Sequence, residues 1–279
     1  MPFGEELFGT PNRLVMDPVH GGIHFFEHEK TVIDHHLFQR LRSILQNDML
    51  FLVFPGATHS RFQHSIGAMH IAGRAFQEMI RSYLVAAKKY GTIRMTDSQR
   101  EAIQYFNACL RLAALLHDTG HAPFSHQFET AAPIHSMLAD PTTINALWPQ
   151  DSWRQYYKNI PEQLTHEHYS VWCADRILRD TLQADAAPDL EIEDIIGLFE
   201  TTNCAPTAKF MTYSKALLPL FLRPGADMSK LSEVSLAAEI QRLFRTLISG
   251  ELDVDKMDYL LRDSSSPAAA MVSTTWITY

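Results

Sequence analysis

A chain of 279 residues is long enough for one large domain or two small ones and can bury a sizeable core. Its 46% hydrophobic and 20% charged content excludes a disordered or fibrous protein, and a net charge of −8 argues against a broad basic nucleic-acid face, so an anionic ligand must be met by a local pocket. Three widely spaced cysteines, Cys109, Cys173 and Cys204, form no CxxC pair and read as core thiols in a reducing compartment.

The N-terminus, MPFGEELFGT, lacks a basic-then-apolar leader, and the longest apolar runs, MLFLVF and ALLPLFL, are too short to span a bilayer. A cytoplasmic protein without a membrane partner is expected. Residues 11–34 carry turn signals at Asp17-Pro18 and Gly21-Gly22 around Ile23, Phe25 and Phe26, which predicts a short strand pair and the one non-helical region. From Asp34, Leu37, Leu41, Ile44 and Leu45 share one helical face. After a turn at Pro55-Gly56, Ser60 is positioned to cap a helix that begins RFQHSIGAMH.

The next predicted helix runs from Thr96 to Leu116, with Thr96 or Asp97 as its cap. Residues 131–161, with four prolines and two tryptophans, read as an irregular insertion. Helices follow at Thr165, at Leu190 (Ile192, Ile195, Ile196, Phe199) and at Ser232 (Leu236, Ile240, Leu243, Phe244, Leu247). The expectation is an all-α domain with a short β-hairpin near the N-terminus.

The stretch RLAALLHDTGHAPFSHQFE, Arg111 to Glu129, is the densest in chemistry. Ile103, Phe106, Leu110 and Ala113 recur at spacings of three and four, and His117 is the next step of that series, so it points inward with Asp118 beside it. A buried carboxylate next to an imidazole is costly without a compensating cation or donors, and a metal ion supplies that compensation. A hydrogen-bonded His–Asp pair that merely fixes a core is the alternative for the pair taken alone. Further candidates are Arg61 and His64 in SRFQHS, His166 in THEHYS, and the segment ELDVDKMDYLLRDS. If that segment is helical, Asp255, Tyr259 and Arg262 fall at i, i+4 and i+7, with Asp263 adjacent.

In order, DPVHGGI, FQRLRSI, VFPGATHSRFQHSIGAMH, LLHDTGHAPFSHQFE, HEHYS and DVDKMDYLLRDS resemble the HD-domain phosphohydrolases, and more narrowly their deoxynucleoside triphosphate triphosphohydrolase branch. The likeness covers residues 13 to 263 and implies one domain, 1–263, interrupted by the insertion at 131–161. It implies that His64, His117, Asp118 and Asp255 bind one metal ion. Two imidazoles and two carboxylates also suit iron, manganese, cobalt or zinc better than calcium on chemical grounds. Water activated there would attack the α-phosphorus and release deoxynucleoside and tripolyphosphate. By the same likeness His126, oriented by Glu129 three residues on, protonates the leaving oxygen, and His121 and His166 contact the α-phosphate. Arg61 and Lys256 meet phosphate charge, Tyr259 and Asp263 face the sugar, and magnesium arrives with the substrate. Arg262 joins the phosphate group by helical geometry rather than by the family motif. Asp34, Gln39 and Arg42 match positions that bind a regulatory nucleotide in the branch, although Met16 departs from it.

The resemblance stops after Asp263. The tail 264–279, SSSPAAAMVSTTWITY, replaces a continuation that in the family completes the base pocket and a homo-oligomer interface, and reads as a frameshifted or truncated terminus that would impair both. Two rival readings are an HD phosphohydrolase for another nucleotide phosphoester and a non-catalytic binder of nucleotides or single-stranded nucleic acid. Net acidity makes stable nucleic-acid binding the weaker of the two.

Overall fold

The computed structural model describes residues 5–88, 95–147, 154–182, 189–199, 201–221 and 232–265. Its helices are α1 Glu5–Phe8, α2 Glu27–Asp34, α3 His36–Gln39, α4 Arg61–Lys88, α5 Asp97–Leu116, α6 Ser125–Thr130, α7 Ala132–Leu138, α8 Pro141–Leu147, α9 His166–Thr181, α10 Ile192–Ile196, α11 Ala208–Phe221, α12 Glu233–Ile248 and α13 Val254–Ser265. The fold is all-α, and the one hairpin among the described residues pairs β1 Arg13–Asp17 antiparallel to β2 Gly21–Phe25, with Val15 opposite Ile23. The tail expected to depart from the family lies outside the described residues from 266 on.

The long helices obey their local signals. Thr96 accepts from the Gln99 N–H at 3.2 Å while Gln99 returns a bond to the Thr96 N–H at 3.0 Å, which satisfies two orphan donors at the start of α5. Ser60 and Gln63 exchange the same pair of bonds ahead of α4. The predicted face of α5 is fully buried, and Phe8, Phe76, Phe244, Phe106 and Phe210 form a chain of edge-to-face contacts, with successive ring centroids 4.8–6.3 Å apart, that ties α1, α4, α12, α5 and α11 into one core. All three cysteines are buried free thiols, as expected. Among the described residues no helix is long and apolar enough to cross a membrane.

Three segments depart from the sequence reading. Glu27–Asp34 is helical where only turns and strands were expected, because Glu29 reaches back to the Phe26 N–H at 2.9 Å and caps the helix, then pairs with Arg111 at 2.6 Å in the core. The helix expected from Asp34 is broken: His35 is extended, α3 passes into a 3₁₀ turn, and Leu45 bridges Ser60 instead of continuing the helical face. In the segment expected to be irregular, α7 and α8 form because Pro133 and Pro141 fall in the first turn, where the missing N–H costs nothing. On α12, Leu243 is turned to solvent while Leu236, Ile240 and Phe244 are buried.

Candidate active site

Three segments converge on one point. Arg61 and His64 come from the first turn of α4, His117 and Asp118 from the turn that ends α5, and Asp255 from α13. Ligand atoms of His64, His117 and Asp118 lie within 4.8 Å of one another. Asp255 Oδ1 is 2.9 Å from His64 Nε2 and 3.7 Å from His117 Nε2, while Asp118 is 3.6 Å from the first and 3.5 Å from the second. The four expected ligands are therefore assembled, although more than fifty residues separate each segment from the next.

The outer nitrogens decide how the imidazoles present themselves. His117 Nδ1 is 2.7 Å from the Ala114 carbonyl, which can only accept, so Nδ1 carries the proton and Nε2 offers its lone pair inward. His64 Nδ1 is 2.8 Å from Asp258 Oδ2 with the same consequence. Both Nε2 atoms are buried without a hydrogen-bond partner. Two inward lone pairs and two carboxylates facing one point are a donor set that fits a divalent transition ion.

Electrostatics agree. Burial alone would favour neutral imidazoles, but Asp118 and Asp255 outweigh it and push His117 up to about 9, while Asp255, Asp258 and Asp118 raise His64 against the same burial. Burial likewise opposes ionisation of Asp118 and Asp255, yet His117 and its neighbours hold both carboxyls well below the usual range. The site demands positive charge, which protons or a cation can provide.

Beside it lies a second group. The imidazoles of His121, His126 and His166 also fall within 4.8 Å of one another. The His121 and His166 rings stack at 4.0 Å and 23°, an arrangement that puts their in-plane lone pairs in two nearly parallel, separated planes. Burial, with Arg61 and the neighbouring imidazoles, drives His121 down to about 2 despite Asp118, so it is neutral. His166 is raised, because Glu129 and Glu167 outweigh its burial. A neutral ring stacked on a readily protonated one is suited to meeting an anion. A cleft of about 210 Å³ opens here, lined by His117, Asp118, His166, Glu167, Ser170 and Asp255 on the polar side and by Val171, Phe199 and Ile248 on the other.

Glu129 bonds His166 Nδ1 at 3.2 Å rather than orienting His126, because α6 aims the carboxylate at α9. Glu129→Gln is expected to lower the His166 pKa towards or below an ordinary imidazole, read from its ring proton shift during an NMR titration. Because the folded-state value is raised, the stability this pair contributes is complete below about pH 6.5 and is lost as pH rises through the folded pKa.

Several other expected residues are placed differently. Arg61 is buried, bonded to Asp118 and at 2.8 Å to Ser125 Oγ, so it adjoins the centre. Lys256 turns to Asp253 and the Gly250 carbonyl. Arg262, expected to meet phosphate, is buried and occupied by Asp258, Asp17 and the Gln63 carbonyl. The inward stripe of α13 is Val254, Asp258 and Arg262, so Asp255 and Tyr259 flank it instead of sharing a face with Arg262. Asp263 accepts from Asn47 at 2.8 Å. Gln39 and Arg42 bond each other at 2.7 Å, and Asp34 pairs with Lys30 at the surface. The residue missed from the sequence is Asp258, and its signal was the acid–base spacing of four to Arg262.

The turn itself is shaped by close packing. Gly120 donates to Ser170 Oγ at 2.9 Å, and a Cβ there would lie 2.1 Å from the His166 carbonyl. Phe124 and Ser125, with φ of 66° and 43°, adopt left-handed conformations that re-aim the chain into α6.

The HD domain family matches residues 61–143, which include three of the four converging residues, His64, His117 and Asp118. A deoxynucleoside triphosphate triphosphohydrolase SAMHD1 from Bos taurus is 30% identical over 254 residues, 90% of this chain and 35% of that protein. Its counterpart from Homo sapiens is 38% identical over 117 residues, 42% of this chain and 16% of the relative, and a SAMHD1 homolog from Dictyostelium discoideum is 35% identical over 119 residues, 43% and 20% respectively. The chain thus spans about a third of the bovine relative and less of the other two in the aligned regions. The converging four-residue centre and these matches agree: the chain carries an HD-domain match over residues 61–143 and is similar over 90% of its length to the bovine SAMHD1 protein.

Proposed function

We propose that this chain hydrolyses deoxynucleoside triphosphates to deoxynucleoside and tripolyphosphate at the centre formed by His64, His117, Asp118 and Asp255. The observation that carries the reading is the pair of buried, unpartnered Nε2 atoms facing two carboxylates. The ion is one divalent iron, manganese, cobalt or zinc. When bound, it supplies Lewis acidity, which acidifies water and offsets phosphate charge.

The chain's own residues do the rest. Protonated His166, held by Glu129, draws the α-phosphate oxygens, and neutral His121 backs it. His126, exposed with its ring 4.9 Å from that of His166, is placed to hand a proton to the leaving 5′ oxygen. Arg61 holds Asp118 in place and adds positive charge beside the phosphates. Tyr259 and Asp263 select the sugar. Magnesium enters with the substrate, and a nucleotide near Asp34, Gln39 and Arg42 regulates the rate. The working unit is a cytoplasmic homo-oligomer of the 1–263 domain, and nucleic acid is not its stable partner.

Product analysis tests this. Incubation with each dNTP and rNTP, manganese and magnesium is expected to yield tripolyphosphate from dNTPs and none from a His117→Ala/Asp118→Ala variant. Orthophosphate instead would assign the site to another phosphoester, and no turnover of any nucleotide by metal-loaded protein would overturn the reading.

A further inference from the structure

His64 owes its orientation to a buried network that begins in the hairpin. The Asp258 carboxylate is fully buried and uses both oxygens: Oδ2 receives His64 Nδ1 at 2.8 Å and Arg262 Nε at 2.6 Å, while Oδ1 receives His20 Nε2 at 2.6 Å and Arg262 Nη2 at 3.1 Å. Arg262 in turn bonds Asp17 Oδ2 at 3.0 Å and the Gln63 carbonyl, one residue before the ligand, at 2.8 Å. Asp17 closes the circuit, because its Oδ1 accepts the backbone N–H groups of Val19 at 2.9 Å and His20 at 3.0 Å. That Asx-type turn fixes where His20 emerges.

The packing permits no substitute. Gly67, one turn after His64 on α4, lies directly under α13, and a Cβ there would stand 1.8 Å from Asp258 Oδ1 and 2.4 Å from Arg262 Nη2. The glycine lets α13 approach α4 closely enough for Asp258 to reach the back of the His64 ring. Two anions, Asp17 and Asp258, face one guanidinium and two imidazoles, so every strong donor is matched at a place where an unmatched one would be costly.

We propose that Asp258 is a positioning residue for the metal ligand His64, and that the turn Asp17–His20 holds Asp258 in register through His20 and Arg262, so that the hairpin sets the affinity of the centre for its ion. This inference rests on the reading of His64 as a ligand. A carboxylate behind a ligating imidazole fixes its tautomer and increases its basicity, and loss of such a partner typically weakens metal binding about 10–100-fold. His20 touches no ligand directly in this arrangement, and its contribution passes through Asp258 alone.

The test is the dissociation constant for cobalt or manganese of metal-stripped full chain, measured by competition with a chromophoric chelator, with the cobalt ligand-field spectrum recorded in parallel. Asp258→Asn and His20→Ala are expected to bind about 10–100-fold and several-fold more weakly than wild type, with altered cobalt spectra, and His20→Gln, which keeps a donor, to recover most of the loss. Asp194→Asn, which breaks a buried network around Tyr105 and Thr207 away from the centre, serves as a control that lowers stability without moving metal affinity. If His64→Ala binds metal as wild type does, the metal-site reading itself fails. If His64→Ala loses the metal while folded His20→Ala and Asp258→Asn keep wild-type affinity and spectrum, the positioning role is overturned. Should Asp258→Asn not fold, the His20→Ala and His20→Gln pair decides alone.

Discussion

His117→Ala is expected to abolish stoichiometric binding of the transition ion and to reduce phosphohydrolase activity by more than about 10³-fold. Removing a single preorganised donor from a reaction centre already costs about 10²–10³ in rate, and this substitution takes away one of the four proposed ligands and, on that proposal, the Lewis acid with it. Inductively coupled plasma mass spectrometry on the purified variant reads the first effect and tripolyphosphate release the second. The substitution suits this purpose because His117 is the proposed ligand with the fewest other side-chain partners. Its Nδ1 meets only a backbone carbonyl, which can be hydrated. Asp118 also pairs with buried Arg61, and its removal would leave a guanidinium without its anion, a loss of about 3–5 kcal/mol that would mix unfolding with chemistry. A His117→Ala protein that still binds one ion per chain and retains activity would place the centre elsewhere.

Gly120→Ala is expected to lower stability by about 2–4 kcal/mol, near the upper range for overpacking, and to remove activity from what remains folded. An added Cβ would stand 2.1 Å from the His166 carbonyl and 2.2 Å from the Ser170 amide nitrogen, both of them helix backbone and neither able to rotate away. Relief requires the His117–His121 turn to part from α9. That separates His121 from the His166 ring stacked on it and breaks the Gly120–Ser170 bond. Gly21→Ala makes the comparison sharp. Gly21 has a φ of +72° but nothing within 4 Å, so its cost is conformational only, about 1 kcal/mol. Thermal denaturation should show a depression of roughly 5–15 °C for Gly120→Ala and only a few degrees for Gly21→Ala. Equal depressions would show that the contact with α9 relaxes freely.

The legible parts of the molecule are those governed by local rules. The periodicity of Ile103, Phe106, Leu110 and Ala113 announced a buried helix face and carried His117 to the inside, and capping pairs at Thr96 and Ser60 marked two helix starts. Helix α2 escaped because Phe26, not a Ser, Thr, Asp or Asn, stands at its N-cap, and the acid that caps it, Glu29, is held by Arg111 from the core. Arg262 was misassigned for a related reason. Helical spacing gives the angle of a side chain about its own axis, but the rotation of α13 against α4 is set by the glycine at 67, and that rotation turns Asp258 and Arg262 inward.

The sequence by itself determined the helical class, the short hairpin and the inward turn of His117, because residue types and short-range periodicity decide those properties, whereas the set of four proposed ligands came from the order of motifs shared with HD-domain phosphohydrolases. Only the tertiary structure decided which partner each group has. Glu129 serves His166 rather than His126, Lys256 serves Asp253, and Asp258 stands behind His64, since each pairing joins groups whose separation is fixed by helix packing or helix rotation. Hydrogen bonds and ion pairs act over about 3 Å, a distance that chain spacing specifies within one helical turn and that packing alone specifies across helices.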